Sequence, residues 1–236
     1  MKAIVLLSGG MDSATLLASV LASGREVETL SFRYGSKHNE YENRAARLLA
    51  GYYRVEHTLI DLGEVAPHLQ SNLLKSGGAI PEGHYQESNM SQTVVPGRNS
   101  IFISIASGVA WSRGAEEVYI GAHSGDHVIY PDCRPEYINA IQEAMMLGSG
   151  GKVMVRAPFL HGDKTSILKA GFELQVPYDF TRTCYKDQEV SCGRCGACQE
   201  RLEAFAAHGR VDPLEYEFRD IFPKGVLNVE RPTTRY

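Results

Sequence analysis

No apolar run in this chain approaches the roughly 20 residues needed to cross a bilayer, so no membrane-spanning helix is expected. Lysine and arginine never gather into a block. They number 24 against 28 aspartates and glutamates, a formal charge of −4, and an extended nucleic-acid surface is not expected. The G-x-x-x-x-G-K-[ST] pattern is missing, and Gly148-Ser149-Gly150-Gly151 lacks the third spaced glycine of a dinucleotide fingerprint, so neither of those phosphate cradles is predicted. Internal repeats and low-complexity tracts are also lacking. Met1-Lys2-Ala3 leads straight into an apolar run without a signal-peptide pattern, and a cytoplasmic protein is expected.

What is present fits one large α/β domain with an appendage, since 236 residues can bury a substantial core without a second domain. Apolar, β-rich runs at Ala3 to Leu7, Val27 to Phe32, Val55 to Ile60, Val118 to Gly121 and Val153 to Ala157 alternate with helical patterns near 13–23, 38–51, 99–113, 135–147 and 164–174. That alternation predicts a mostly parallel sheet flanked by helices, Rossmann-like in outline. Ligands of such sheets sit beyond the carboxyl ends of the strands. Residues 8–13, 34–35, 122–126 and 158–164 all follow predicted strands, so they are expected to converge on one cleft. The long stretch 61–98, rich in glycine and proline, reads as an insertion covering that cleft. The boundaries expected are therefore 1–180 for the α/β domain, 181–216 for a segment packed on it, and 217–236 for a tail that wraps the surface or a partner.

Ser8-Gly9-Gly10-Met11-Asp12-Ser13 lies between the first strand and the first helix. A helix N-terminus there offers unpaired N–H groups and a positive dipole end to an anion. Glycines let the backbone approach, and the two serine hydroxyls add donors. Asp12 would repel a phosphate unless it caps the helix or holds a magnesium ion, and both roles stay open. The loop resembles, at every position, the S-G-G-x-D-S pyrophosphate loop of the N-type ATP pyrophosphatases. That resemblance implies an adenine nucleotide α-hydrolase-like fold and ATP bound along Leu7, Ser8, Gly9, Gly10, Met11, Asp12, Ser13, Ala14, Thr15, Leu16 and Leu17.

Four of the five cysteines, Cys184, Cys192, Cys195 and Cys198, follow the pattern C-x7-C-x2-C-x2-C. Two-residue spacers bring pairs of sulfurs to one point, with Gly193 and Gly196 as permissive turn residues, and four thiolates make a closed, structural zinc site. A ferredoxin-type cluster is the weaker alternative, because its C-x3-C-P ending is missing. Cys133 stands apart and reads as a buried small residue rather than a nucleophile.

Taken in order, Tyr34-Gly35-Ser36-Lys37-His38, Val95-Pro96-Gly97-Arg98-Asn99, Tyr130-Pro131-Asp132-Cys133-Arg134, Asp163-Lys164-Thr165 and Cys192-Gly193-Arg194-Cys195-Gly196-Ala197-Cys198 resemble the 7-cyano-7-deazaguanine (preQ0) synthase family of queuosine biosynthesis. The resemblance runs from Lys2 to about Tyr216. It implies a carbon–nitrogen ligase that uses ATP and Mg2+ to adenylate 7-carboxy-7-deazaguanine, lets ammonia displace AMP, and dehydrates the amide to the nitrile. Asp12, Arg98 and Lys164 would then be catalytic; Tyr34, Asp126, Tyr130 and Asp132 would bind the deazapurine. A homodimer is expected by the same resemblance, with ammonia drawn from solution or a partner. His38, His123, His127 and His161 read as structural histidines. Ser36-Lys37 and Arg182-Thr183 depart from the family's common Gln-Arg and Trp-Ser, which leaves the amine acceptor open, including a protein or nucleic-acid amine. A tRNA thiolase of the same superfamily and a non-enzymatic zinc-knuckle module are the rival readings.

Overall fold

The computed structural model describes residues 1–84, 88–127 and 129–221. Five parallel strands, β1 (Lys2–Leu6), β2 (Glu26–Arg33), β3 (Glu56–Asp61), β4 (Glu117–Tyr119) and β5 (Met154–Arg156), lie in the order β3-β2-β1-β4-β5. The register pairs Ala3 with Val27 on one side of β1 and with Glu117 on the other. Because a strand turns successive side chains to opposite faces, the apolar run of β1 feeds two cores. Ala3, Val5 and Leu7 pack with the helices α1 (Met11–Ala22), α2 (Asn39–Tyr53), α5 (Lys164–Glu173) and α6 (Gly196–Ala207). Ile4 and Leu6 pack with α3 (Arg98–Ser112) and α4 (Pro135–Gly148). Burial on both faces is why β1 reads as a continuous apolar run rather than an alternating one.

The chain leaves β1 toward β2 on one side and reaches β4 on the other, so the order reverses at β1. The carboxyl ends of β1 and β4 therefore part and leave a crevice, which is where such sheets hold ligands. The expected α/β architecture with a cysteine-bearing segment is what the chain adopts.

Two local expectations are corrected. The cysteine spacing alone implies two turns, whereas the chain forms helix α6 there, with Cys198 in its first turn. Gly196 accordingly opens a helix, while only Gly193 takes the left-handed φ of +75° that the turn demands. Among the described residues of 61–98, Arg98 alone lines the cleft. Leu73, Leu74, Met90 and Val95 instead join the α3-side core, and Glu82 pairs with Lys186 at 2.5 Å, tying this segment to the cysteine region. The tail expected at 217–236 is described only to Ile221, where Gln199 Nε2 donates to the Asp220 carbonyl at 2.8 Å; the rest of it lies outside the described residues.

Candidate active site

The loop after β1 turns at Gly9, whose φ is +85° and whose missing Cβ would lie 2.4 Å from the Glu42 carbonyl oxygen of α2. No other residue fits that contact. Gly10 precedes α1 without a side-chain cap, so the first-turn N–H groups of α1 have no acceptor in the helix itself. Ser8 Oγ accepts from Gly10 N at 3.2 Å and lies 3.1 Å from Ser13 Oγ. The result sets two hydroxyls beside the uncapped first turn of a helix, a setting suited to a phosphate.

Asp12, in the first turn of α1, pairs with a cation. Its Oδ2 lies 3.2 Å from Lys164 Nζ, at the start of α5, and 3.8 Å from His123 Nε2. Lys164 also meets Glu200 Oε2 of α6 at 2.5 Å, and Asp126 Oδ2 is 3.5 Å from His123 Nε2. His123 Nδ1 accepts from the Gly125 amide at 3.1 Å, which puts its proton on Nε2, facing the two carboxylates. Burial alone would raise the Asp12 carboxyl, but Lys164 and His123 outweigh it and hold Asp12 below the usual carboxylate range. Burial would likewise lower Lys164, and Asp12 and Glu200 outweigh it to keep the ammonium. Asp12 Oδ1 is buried without a hydrogen-bond partner.

Asp12, Asp126 and Lys164 form one end of a cleft of about 210 Å³. Its other end is aromatic. Phe32 stacks on Phe102 at 4.1 Å, Tyr34 meets Phe102 edge-on at 5.3 Å, and the Arg98 guanidinium lies 5.8 Å from the Tyr130 ring centre. Tyr185 closes this half beside His38, ring centres 5.3 Å apart. Burial, with help from Arg98, pushes His38 down to about 3, so it is neutral. Burial pushes the Glu42 carboxyl up to about 8 against the pull of Arg98 and Arg182.

The four cysteine sulfurs lie within 4.8 Å of one another and are all buried. A tetrahedron with bonds of ~2.3 Å has edges of roughly 3.8 Å, and Cys192 Sγ stands 3.9 Å from Cys198 Sγ. Four thiols and no fourth-position opening fit a closed metal site.

The sequence of residues 2–209 matches the family described as queuosine biosynthesis protein QueC. The chain belongs to the QueC family. It is 46% identical to the 7-cyano-7-deazaguanine synthase of Marinomonas sp. (strain MWYL1), over 92% of this chain and 98% of that protein. It is 47% identical to the synthase of that name from Pseudoalteromonas atlantica, over 92% of this chain and 99% of that one.

Within this QueC chain the structure brings Leu7, Ser8, Gly10, Met11, Asp12, Ser13, Tyr34, Arg98, Asp126, Tyr130 and Lys164 to one cleft from distant parts of the sequence. Ala14, Thr15, Leu16 and Leu17 are not in it. They are buried in α1, because the second turn of that helix faces the core. Asp132 is also outside: its Oδ2 accepts the Asn99 amide at 3.0 Å and so caps α3. Arg98 sits among the tyrosines rather than beside Asp12. Sequence reasoning missed Glu42, Asn43, Glu200 and Tyr185. Glu42 and Asn43 lay in an ordinary polar helix pattern, and Glu200 reaches Lys164 only because α6 exists.

Proposed function

We propose that this chain is an ATP-dependent carbon–nitrogen ligase that converts 7-carboxy-7-deazaguanine and ammonia to 7-cyano-7-deazaguanine. The observation that carries the reading is the joining, in one cleft, of the glycine–serine loop before α1 with Lys164 and of an aromatic half with Arg98. A planar ring bearing a carboxylate would lie against Tyr34, Tyr130 and Tyr185 with its acid toward Arg98, while ATP would place its pyrophosphate on Ser8 to Ser13.

The substrate carboxylate oxygen attacks the α-phosphorus; the α–β phosphoanhydride bond breaks and pyrophosphate leaves. Ammonia then adds to the acyl carbon, AMP departs with its electron pair, and a proton is lost to give the amide. A second ATP adenylates the amide oxygen, and loss of AMP and protons leaves the nitrile. In each activation the protein's task is to hold developing phosphate charge in fixed dipoles and cations. Lys164 does so from its anchorage between Asp12 and Glu200. The orphaned Asp12 Oδ1 suits a magnesium ion arriving with the nucleotide, which would neutralise pyrophosphate charge. The four cysteines would hold zinc in a structural role.

A thiolase would need a reactive thiol near the nucleotide. Cys133 does line the cleft, but burial and the carboxylates of Asp126 and Asp132 push its thiol upward, outweighing the N–H that Asn99 Nδ2 donates to it at 3.2 Å, so it is a poor nucleophile. The test is mass spectrometry of products from protein incubated with magnesium, ATP, 7-carboxy-7-deazaguanine and ammonium. The nitrile with AMP and pyrophosphate is expected; adenylate without amide would redirect the search to another amine, and no ATP consumption would overturn the ligase reading.

A further inference from the structure

Glu42 is the carboxyl of the cleft that the chemistry above leaves unused. It stands in the first turn of α2, facing the aromatic half. Among the described residues no lysine or arginine nitrogen lies within 4 Å of it; its close partner is His38 Nε2 at 3.4 Å. The other carboxylates of the cleft are engaged, Asp12 with Lys164 and Asp126 with His123. Next to Glu42, Asn43 is buried, 3% exposed, and lines the same cleft. Its Nδ2 has no hydrogen-bond partner. A buried donor without a partner costs stability unless a ligand meets it, and Asn43 offers that donor beside a carboxyl that no cation holds.

We propose that Glu42 and Asn43 read the Watson–Crick edge of the 7-deazaguanine, the Glu42 carboxylate accepting from N1–H and the 2-amino group while Asn43 Nδ2 donates to the neighbouring ring acceptor. This rests on the function proposed above and names its specificity residues. Two N–H groups fixed side by side on a rigid ring match the two oxygens of one carboxylate. The tyrosine rings around them supply the faces for the ring plane. His38, neutral in this setting, carries no charge to compete for Glu42, and the proton that burial keeps on the empty site's carboxyl leaves as the two ring N–H donors bind and favour the carboxylate.

Calorimetric binding of 7-carboxy-7-deazaguanine and of its analogue lacking the 2-amino group tests this, with wild type and with Glu42→Gln and Asn43→Ala. Wild type is expected to bind the parent about 10- to 100-fold more tightly than the analogue, the worth of one hydrogen bond to a charged group. Glu42→Gln should bind the parent more weakly and lose that discrimination, with KM for ATP unchanged. Equal binding of the two compounds by wild type overturns the proposal without any variant having to fold. Retained discrimination in Glu42→Gln overturns it too, as does an effect confined to KM for ammonium, and in either case nitrile formation by wild type would leave the function standing. If wild type neither binds nor turns over the acid, the functional reading fails and takes this one with it.

Discussion

Asp12 and Lys164 show how a single charge acquires a role from its neighbours. Lys164 is buried and Asp12 half-buried, burial works against the charge of each, and their contact at 3.2 Å, with His123 and Glu200 beside it, favours both ions. Lys164→Met therefore removes a cation and leaves two half-buried carboxyls across its place. The variant should lose about 10²- to 10³-fold in kcat, the usual cost of one charge-stabilising donor, read as pyrophosphate release at saturating ATP. Gly9 is constrained more tightly still. Its left-handed φ and the 2.4 Å approach of the Glu42 carbonyl mean that Gly9→Ala must displace α2 from the loop. Loss of ATP binding in a fluorescence titration, together with a lowered Tm, is the expected result.

Helix α6 is the element that joins the cysteine segment to the reaction. One end carries Cys198, the middle sends Glu200 to Lys164, and Arg201 is held by Asp212 through Nε at 2.6 Å and Nη2 at 2.9 Å. Arg201 further donates to Thr181 Oγ1 and the Tyr178 carbonyl, and the Tyr216 hydroxyl donates to Asp212. Both members of the pair have fully buried side chains. Removing one leaves the other as an unpaired buried charge, so Asp212→Ala should cost about 3–5 kcal/mol of stability in urea unfolding. A structural zinc contributes on the order of 10 kcal/mol to folding its segment. Metal analysis should find one zinc per chain, and chelation or Cys195→Ser should release α6, raising KM for ATP through the loss of Glu200 from Lys164.

At the scale of the whole molecule the cleft is a place where burial costs stability, and pH exposes that cost. Glu42 is moved from 4.5 to about 8 by burial. Between those values the native protein keeps a proton that the unfolded chain has released, so this group's contribution falls as pH rises through the interval and levels off above about 8. His38, pushed down to about 3, acts in the opposite direction below pH 6.5. The Tm of Glu42→Gln relative to wild type should therefore rise from pH 5 to pH 8 in scanning calorimetry, because the amide has no proton to lose. Among the described residues no helix is long and apolar enough to cross a membrane. Much of this was legible in the chain itself. The strand runs, the glycine loop before α1 and the cysteine spacing are local patterns, and each is fixed by backbone chemistry within a dozen residues: period, permissive φ, ligand reach. Asp132 misled because a carboxylate after proline looks the same in sequence whether it caps a helix or faces a ligand. Glu42, Asn43 and Glu200 were illegible because their helices look like solvated ones until packing buries them. The sequence by itself determined which elements form and where phosphate and metal chemistry can sit; only the tertiary structure decided which carboxylates meet a cation, which caps a helix and which is left open to a ligand, since charge and desolvation depend on neighbours brought from more than a hundred residues away.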